Sequence, residues 1–79
     1  MITIKSFLNK IKWDKNLKPE DYTLHYLDRI SKTLKKLKYS DIIRTEGTFI
    51  IIDVDGEETN IPMHRVRRVE NKGVIVWQR

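Results

Sequence analysis

The sequence predicts an α+β fold, with one N-terminal helix packed on a mostly antiparallel sheet of about five or six strands. Three observations predict it. Ile4, Phe7, Leu8 and Ile11 follow the i, i+3, i+4, i+7 spacing of an amphipathic helix. Downstream, the apolar residues change to alternating or continuous β-branched runs. Between those runs stand short turn signals, Asp55-Gly56 and Asn71-Lys72-Gly73. All 79 residues fit one domain.

Thr3 is placed to cap the helix, which is expected to end near Trp13 and Asp14. Asn16 to Asp21 reads as a loop, with Pro19 opening a turn. Tyr22 to Arg29 alternates, with Tyr22, Leu24 and Tyr26 on one face and Thr23, His25, Leu27 and Arg29 on the other, as a strand does. Ser31 to Ile43 is ambiguous. A short strand over Thr33 to Lys38 is favoured, with Ser40 capping a single helical turn through Ile43. Thr48 to Val54 is a β-branched and aromatic run, hence a buried strand. Asp55-Gly56 turns it into Glu57 to Ile61. Pro62 then interrupts the ladder, so the chain bends there or lies at an edge. His64 to Glu70 and Val74 to Trp77 form the last pair of strands. Trp13 and Trp77 are expected in the core as large apolar contributors.

A chain this short buries only ~60% of its unfolded surface, so the core is small. It has no cysteine, which excludes disulfides and thiolate metal sites and fits a cytoplasmic protein. No apolar run approaches the ~20 residues of a membrane span, and Met1 to Ile11 does not read as a signal peptide. The net charge is +5, unevenly placed: residues 1–40 carry +6, mostly as lysine, and residues 41–79 carry −1, with arginine as the dominant cation. A diffuse lysine field beside a local arginine cluster suits a nucleic-acid binder. A charge-rich surface of the kind seen in heat-adapted proteins is the alternative.

The segment Ile61 to Val69, IPMHRVRRV, sets His64, Arg65, Arg67 and Arg68 among Ile61, Met63, Val66 and Val69. Guanidinium forks and an imidazole suit a phosphate. An edge strand charged only to prevent association is the other reading. In a regular strand Arg65 and Arg67 share one face while His64, Val66 and Arg68 share the other. Joint contact of His64 and Arg65 with one ligand therefore requires a kink near Pro62. Asp28-Arg29 is either an internal ion pair or a ligand contact. The acidic hairpin residues Asp53, Asp55, Glu57 and Glu58 would repel phosphate and are expected away from any RNA surface.

There is no Gly-rich phosphate loop and no metal-ligand spacing around His25 or His64. Histidine-pair RNA phosphoesterases carry Thr or Ser two residues after each histidine. Here Leu27 and Val66 stand at those positions.

Four elements in order, LNKIKWD (Leu8 to Asp14), DYTLHYLDR (Asp21 to Arg29), IPMHRVRRV (Ile61 to Val69) and GVIVWQR (Gly73 to Arg79), resemble one small family over essentially the whole chain. The family is mostly archaeal, was long catalogued as a domain of unknown function, and is also called the RNA cyclic-group end recognition domain. The resemblance implies binding of RNA ends, especially those with a 2′,3′-cyclic phosphate. The matching polar positions are Asp14, Asp28, Arg29, His64, Arg65, Arg67 and Arg79, and the matching aromatics are Trp13, Tyr26 and Trp77. Ser31 to Asn60 departs most from the pattern.

The expected function is a non-enzymatic RNA-binding module without cofactor or metal. Arg29, His64, Arg65 and Arg67 would contact phosphate, Tyr26 or Trp77 would stack, and Asp28 would stand beside them. Two alternatives stay open. One is a protein-interaction module recruited to a larger RNA-processing enzyme. The other is a small RNA phosphoesterase using His64.

Overall fold

Thr3 opens the helix as the sequence predicts: its Oγ1 accepts the Ser6 backbone N–H at 3.1 Å. The computed structural model describes residues 2–79. Helix α1 spans Ile4–Trp13 and buries Ile4, Phe7, Leu8 and Ile11 along one stripe. Trp13 is not in the core; it is 74% exposed. It stands two residues beyond Ile11, which places it ~200° around the helix from that stripe. Lys12 Nζ lies 5.3 Å from the centre of its ring instead.

Seven strands follow, in two sheets where one of five or six was expected. They are β1 (Tyr22–Leu27), β2 (Leu34–Lys38), β3 (Ile42–Glu46), β4 (Phe49–Val54), β5 (Glu57–Pro62), β6 (Val66–Asn71) and β7 (Val74–Gln78). The first sheet has the order β2-β1-β6-β7 and the second β3-β4-β5, all pairings being antiparallel. The helical turn expected around Ser40 is a short 3-10 turn, Tyr39–Asp41, and the chain past it is strand β3, which the sequence pattern does not announce. β1 stops at Leu27, so Asp28 and Arg29 lie in the loop to β2.

Helix and sheets close over a single cluster. Leu24, Leu37, Val66, Val69 and Trp77 from the first sheet meet Ile50, Ile52 and Ile61 from the second, with the stripe of α1 between. Leu24, Val66 and Val69 are fully buried. Truncating such a residue to alanine costs about 2–5 kcal/mol. Phe7 and Tyr22 meet edge to face at 6.2 Å, and the Trp77 indole N–H donates to the Ile2 carbonyl at 2.9 Å, tying the last strand to the start of the helix. The opposite face of the four-stranded sheet carries Thr23, His25, Lys36, Lys38, Arg68 and Glu70, paired across β2, β1 and β6.

β6 lies between β1 and β7, so its arginines do not guard an edge. Its alternation is also broken. Tyr26 pairs with Val66 and His25 with Arg68, leaving Arg67 as the extra residue of a bulge. Val66 and Val69 both reach the core because of it.

Candidate nucleic-acid interface

Pro62 ends β5 because it has no N–H to give the ladder, and β5 is an edge strand, as a proline there requires. The next three residues, Met63–Arg65, form a 3-10 turn rather than the start of a strand. The Met63 N–H donates to the Thr48 carbonyl at 2.8 Å, and the Met63 side chain is buried. Anchored at Met63, the turn displays His64 and Arg65 in different directions. The kink near Pro62 is present, but each of the two residues lines a different cleft.

The first cleft, about 450 Å³, opens between the end of β1 and the β4–β5 hairpin. Tyr26, Asp28, Arg29 and Arg65 line it, with Thr59 and the chain at Asn60 across apolar walls that include Phe49, Ile52 and Pro62. The structure thus brings together four of the sequence-predicted residues. Arg65 is half-buried and Arg29 exposed. Neither has a carboxylate or hydrogen-bond partner among the described residues. Thr59 escaped the sequence reading, because a polar residue on a predicted edge strand carries no signal of facing a cavity.

Asp28 is committed within the protein. Its Oδ1 accepts the Ile30 N–H at 2.9 Å, and its Oδ2 lies 2.6 Å from Lys35 Nζ. The expected partner in an ion pair was Arg29; the observed one is Lys35, which β2 carries back beside the loop. Lys35, and then the Ile30 N–H, hold the Asp28 carboxyl below its ordinary value, and Asp28 raises Lys35 above its own. The effect is to fix the loop that carries Arg29 and to leave that guanidinium free.

The second cleft, about 520 Å³, lies on the other side of the turn and is lined by Ile2, Lys5, Thr48, Met63, His64 and Trp77, with Arg79 at its border. Trp77 itself is a core residue, 7% exposed. Arg79 lies 5.4 Å from the centre of its ring and donates through Nε to the Val66 carbonyl at 3.2 Å. Arg67 lines neither cleft. Its Nη1 donates to the His64 carbonyl at 3.3 Å and so clamps the turn.

The acidic hairpin is divided by its register. Asp53 and Glu58 pair on the face away from the first cleft, while Val54 and Thr59 form part of its wall. Arg44 holds Glu58 with two hydrogen bonds, of 3.0 and 3.2 Å, keeping that carboxyl below its ordinary value.

His25 was not assigned a role by its spacing, yet it is 5% exposed. Its Nε2 lies 3.2 Å from one oxygen of Glu70, and Arg68 Nε lies 3.3 Å from the other. Both are at ion-pair distance, though neither nitrogen meets the angular requirement of a hydrogen bond. His25 and His64 share no cleft.

No helix among the described residues is long and apolar enough to cross a membrane. Comparison with known proteins finds relatives over almost the full length. A UPF0248 protein of Metallosphaera sedula is 36% identical over 78 residues, covering 99% of this chain and 94% of the relative. One from Methanococcus maripaludis is 34% identical over 78 residues, covering 96% and 97%. One from Saccharolobus solfataricus is 30% identical over 79 residues, covering 96% and 95%. No solved structure matches the chain significantly. Residues 1–79 match a single family model, and the chain belongs to that family, the MJ1316 RNA cyclic group end recognition domain.

Proposed function

We propose that this protein is a non-enzymatic RNA-binding module that recognises RNA termini carrying a 2′,3′-cyclic phosphate or another terminal phosphate. The observation that carries the reading is Arg65: a half-buried residue whose guanidinium has no internal partner among the described residues, set in a cleft with a second unpaired guanidinium, that of Arg29. Guanidinium groups without an internal partner are available to a phosphate, which pairs with them through charge-assisted, bidentate hydrogen bonds. The family description points to the same chemistry.

In this reading Arg65 and Arg29 take the phosphate oxygens. Tyr26, half-buried on the cleft wall, offers its ring to the terminal base. Thr59 supplies a neutral donor and acceptor for the sugar or a base edge. A cyclic phosphate has one negative charge and no free 2′-OH, so two arginines and a neutral polar wall suit it. Trp77, buried with its indole N–H engaged, is not the stacking residue of this cleft. Arg67 acts by holding the turn, and Asp28 by holding the Arg29 loop.

The test is fluorescence anisotropy with one short RNA ending in turn in a 2′,3′-cyclic phosphate, a 3′-phosphate and a 3′-hydroxyl. The expected order places both phosphate ends above the hydroxyl, with the RNA recovered uncleaved. Equal, salt-sensitive binding to all three reduces the function to general backbone affinity. No binding, or cleavage that disappears in His64→Ala, overturns the proposal.

A further inference from the structure

The two clefts adjoin. The wall between them is the hydrogen-bonded rung from the Met63 N–H to the Thr48 carbonyl, 2.8 Å long. Across that wall the linings change within one residue. Thr48 belongs to one cleft and Phe49 to the other; Met63 and His64 belong to one, Pro62 and Arg65 to the other. Consecutive Cα atoms are ~3.8 Å apart, so the two clefts meet along the backbone of the Met63–Arg65 turn.

The second cleft has the composition of a nucleotide site. Lys5 and His64 are exposed on it, and Met63 and Trp77 give it an apolar floor. No acidic side chain lines it among the described residues. Lys5 and His64 have neither a carboxylate nor a hydrogen-bond partner for their side chains among the described residues. Arg79 lies over Trp77 and presents a guanidinium plane, on which a base can stack.

We propose that this cleft is a second nucleotide subsite. It takes the nucleotide preceding the terminal one, with Lys5 and His64 on the internucleotide phosphate. The proposal rests on the RNA-end reading of the first cleft and goes beyond it: the protein reads a two-nucleotide end, straddling the Met63–Arg65 turn. His64 and Arg65 then serve successive phosphates rather than one, which accounts for their opposite directions on the turn.

The experiment compares adenosine 2′,3′-cyclic phosphate with the dinucleotide ApA ending in the same cyclic group, by calorimetry. The proteins are wild type, the double variant Lys5→Ala/His64→Ala, Arg65→Ala, and Lys36→Ala/Lys38→Ala on the open sheet face as a control that removes positive charge away from both clefts. All the altered side chains except Arg65 are exposed, and thermal melts check folding. Wild type is expected to bind the dinucleotide at least roughly tenfold more tightly than the mononucleotide. Lys5→Ala/His64→Ala should lose that gain and keep mononucleotide affinity. Lys36→Ala/Lys38→Ala should keep the gain, and Arg65→Ala should weaken both ligands by a similar factor. Equal affinity of wild type for the two ligands overturns the subsite while leaving the first cleft standing. So does a gain that survives Lys5→Ala/His64→Ala or disappears equally in the Lys36/Lys38 control. Failure of both ligands to bind overturns the RNA-end reading and the subsite together.

Discussion

An arginine that pairs with no carboxylate of its own protein adds no ion-pair energy to the fold. Arg65 is in that position. Arg65→Ala is therefore expected to leave the melting temperature nearly unchanged, while weakening binding to phosphate-ended RNA by roughly ten- to hundredfold, as removal of one charge-assisted bidentate interaction would. Arg65→Lys should recover little, since an ammonium cannot reproduce the fork. Paired melting and anisotropy measurements check both, and a fall in melting temperature with unchanged binding would make Arg65 structural. Asp28 gives a pH test. Its folded carboxyl is held below the ordinary 3.8 by Lys35 and the Ile30 N–H. What this ion pair contributes to the loop is present above 3.8 and disappears as pH falls through the lowered folded value. At the alkaline end, Lys35 is raised above 10.5. Its contribution is fully present below that value and disappears as pH rises through the raised one. The Ile30 amide resonance should therefore shift with an acid midpoint below 3.8; a midpoint at or above it would mean the ion pair does not persist in solution.

Turns show how sequence sets an element and where it leaves room for improvement. Asp55-Gly56 and Lys72-Gly73 both place two successive residues at positive φ, 53° and 86° in the first and 52° and 85° in the second, the geometry of tight hairpin turns that match the twist of the strands. Lysine tolerates this poorly, whereas asparagine adopts it readily. Lys72→Asn is expected to stabilise the fold by about 0.5–1 kcal/mol and raise the melting temperature by about 2–8 °C. The substitution also removes the ion pair of Lys72 with Asp21. At 3.9 Å that pair is long, and its lysine is exposed, so its removal should not offset the gain. A calorimetric scan decides it, and an unchanged or lower midpoint would show that the turn does not strain Lys72. Helix α1 was legible from Ile4, Phe7, Leu8 and Ile11 because a short stripe at fixed spacing is local information. β3 was not legible, since Ile42–Glu46 is mostly exposed and shows neither alternation nor a continuous apolar run. The start of β6 was misread for a related reason: Pro62 announces a break in the ladder, yet nothing local distinguishes a 3-10 turn over Met63–Arg65 from two further residues of strand.

At the scale of the molecule, what the sequence concealed is non-local. The division into two sheets depends on β1 pairing with β6 across some forty to fifty residues, and the first cleft lies where the end of β1, with Tyr26 and Arg29, meets the β4–β5 hairpin at Thr59. The charged residues of the site could be read from IPMHRVRRV and DYTLHYLDR, but not their allocation: Arg65 to one cleft, His64 to the other, Arg67 to the turn, Asp28 to Lys35. The same scale decides how the net charge of +5 acts. Lys36 and Lys38 lie on the open face of the four-stranded sheet, away from the clefts, so a ligand confined to the clefts should ignore them. For single strands the slope of log K against log salt is about −0.7 per phosphate neutralised. A dinucleotide with a cyclic end presents two phosphates, so its slope should be no steeper than about −1.4. A longer RNA should give a steeper slope if its upstream backbone follows the lysine field, and the excess should fall in Lys36→Ala/Lys38→Ala. Binding isotherms at several salt concentrations measure all three. If the long RNA shows the dinucleotide's slope, the lysines serve solubility alone and recognition is confined to the two clefts beside the Met63–Arg65 turn.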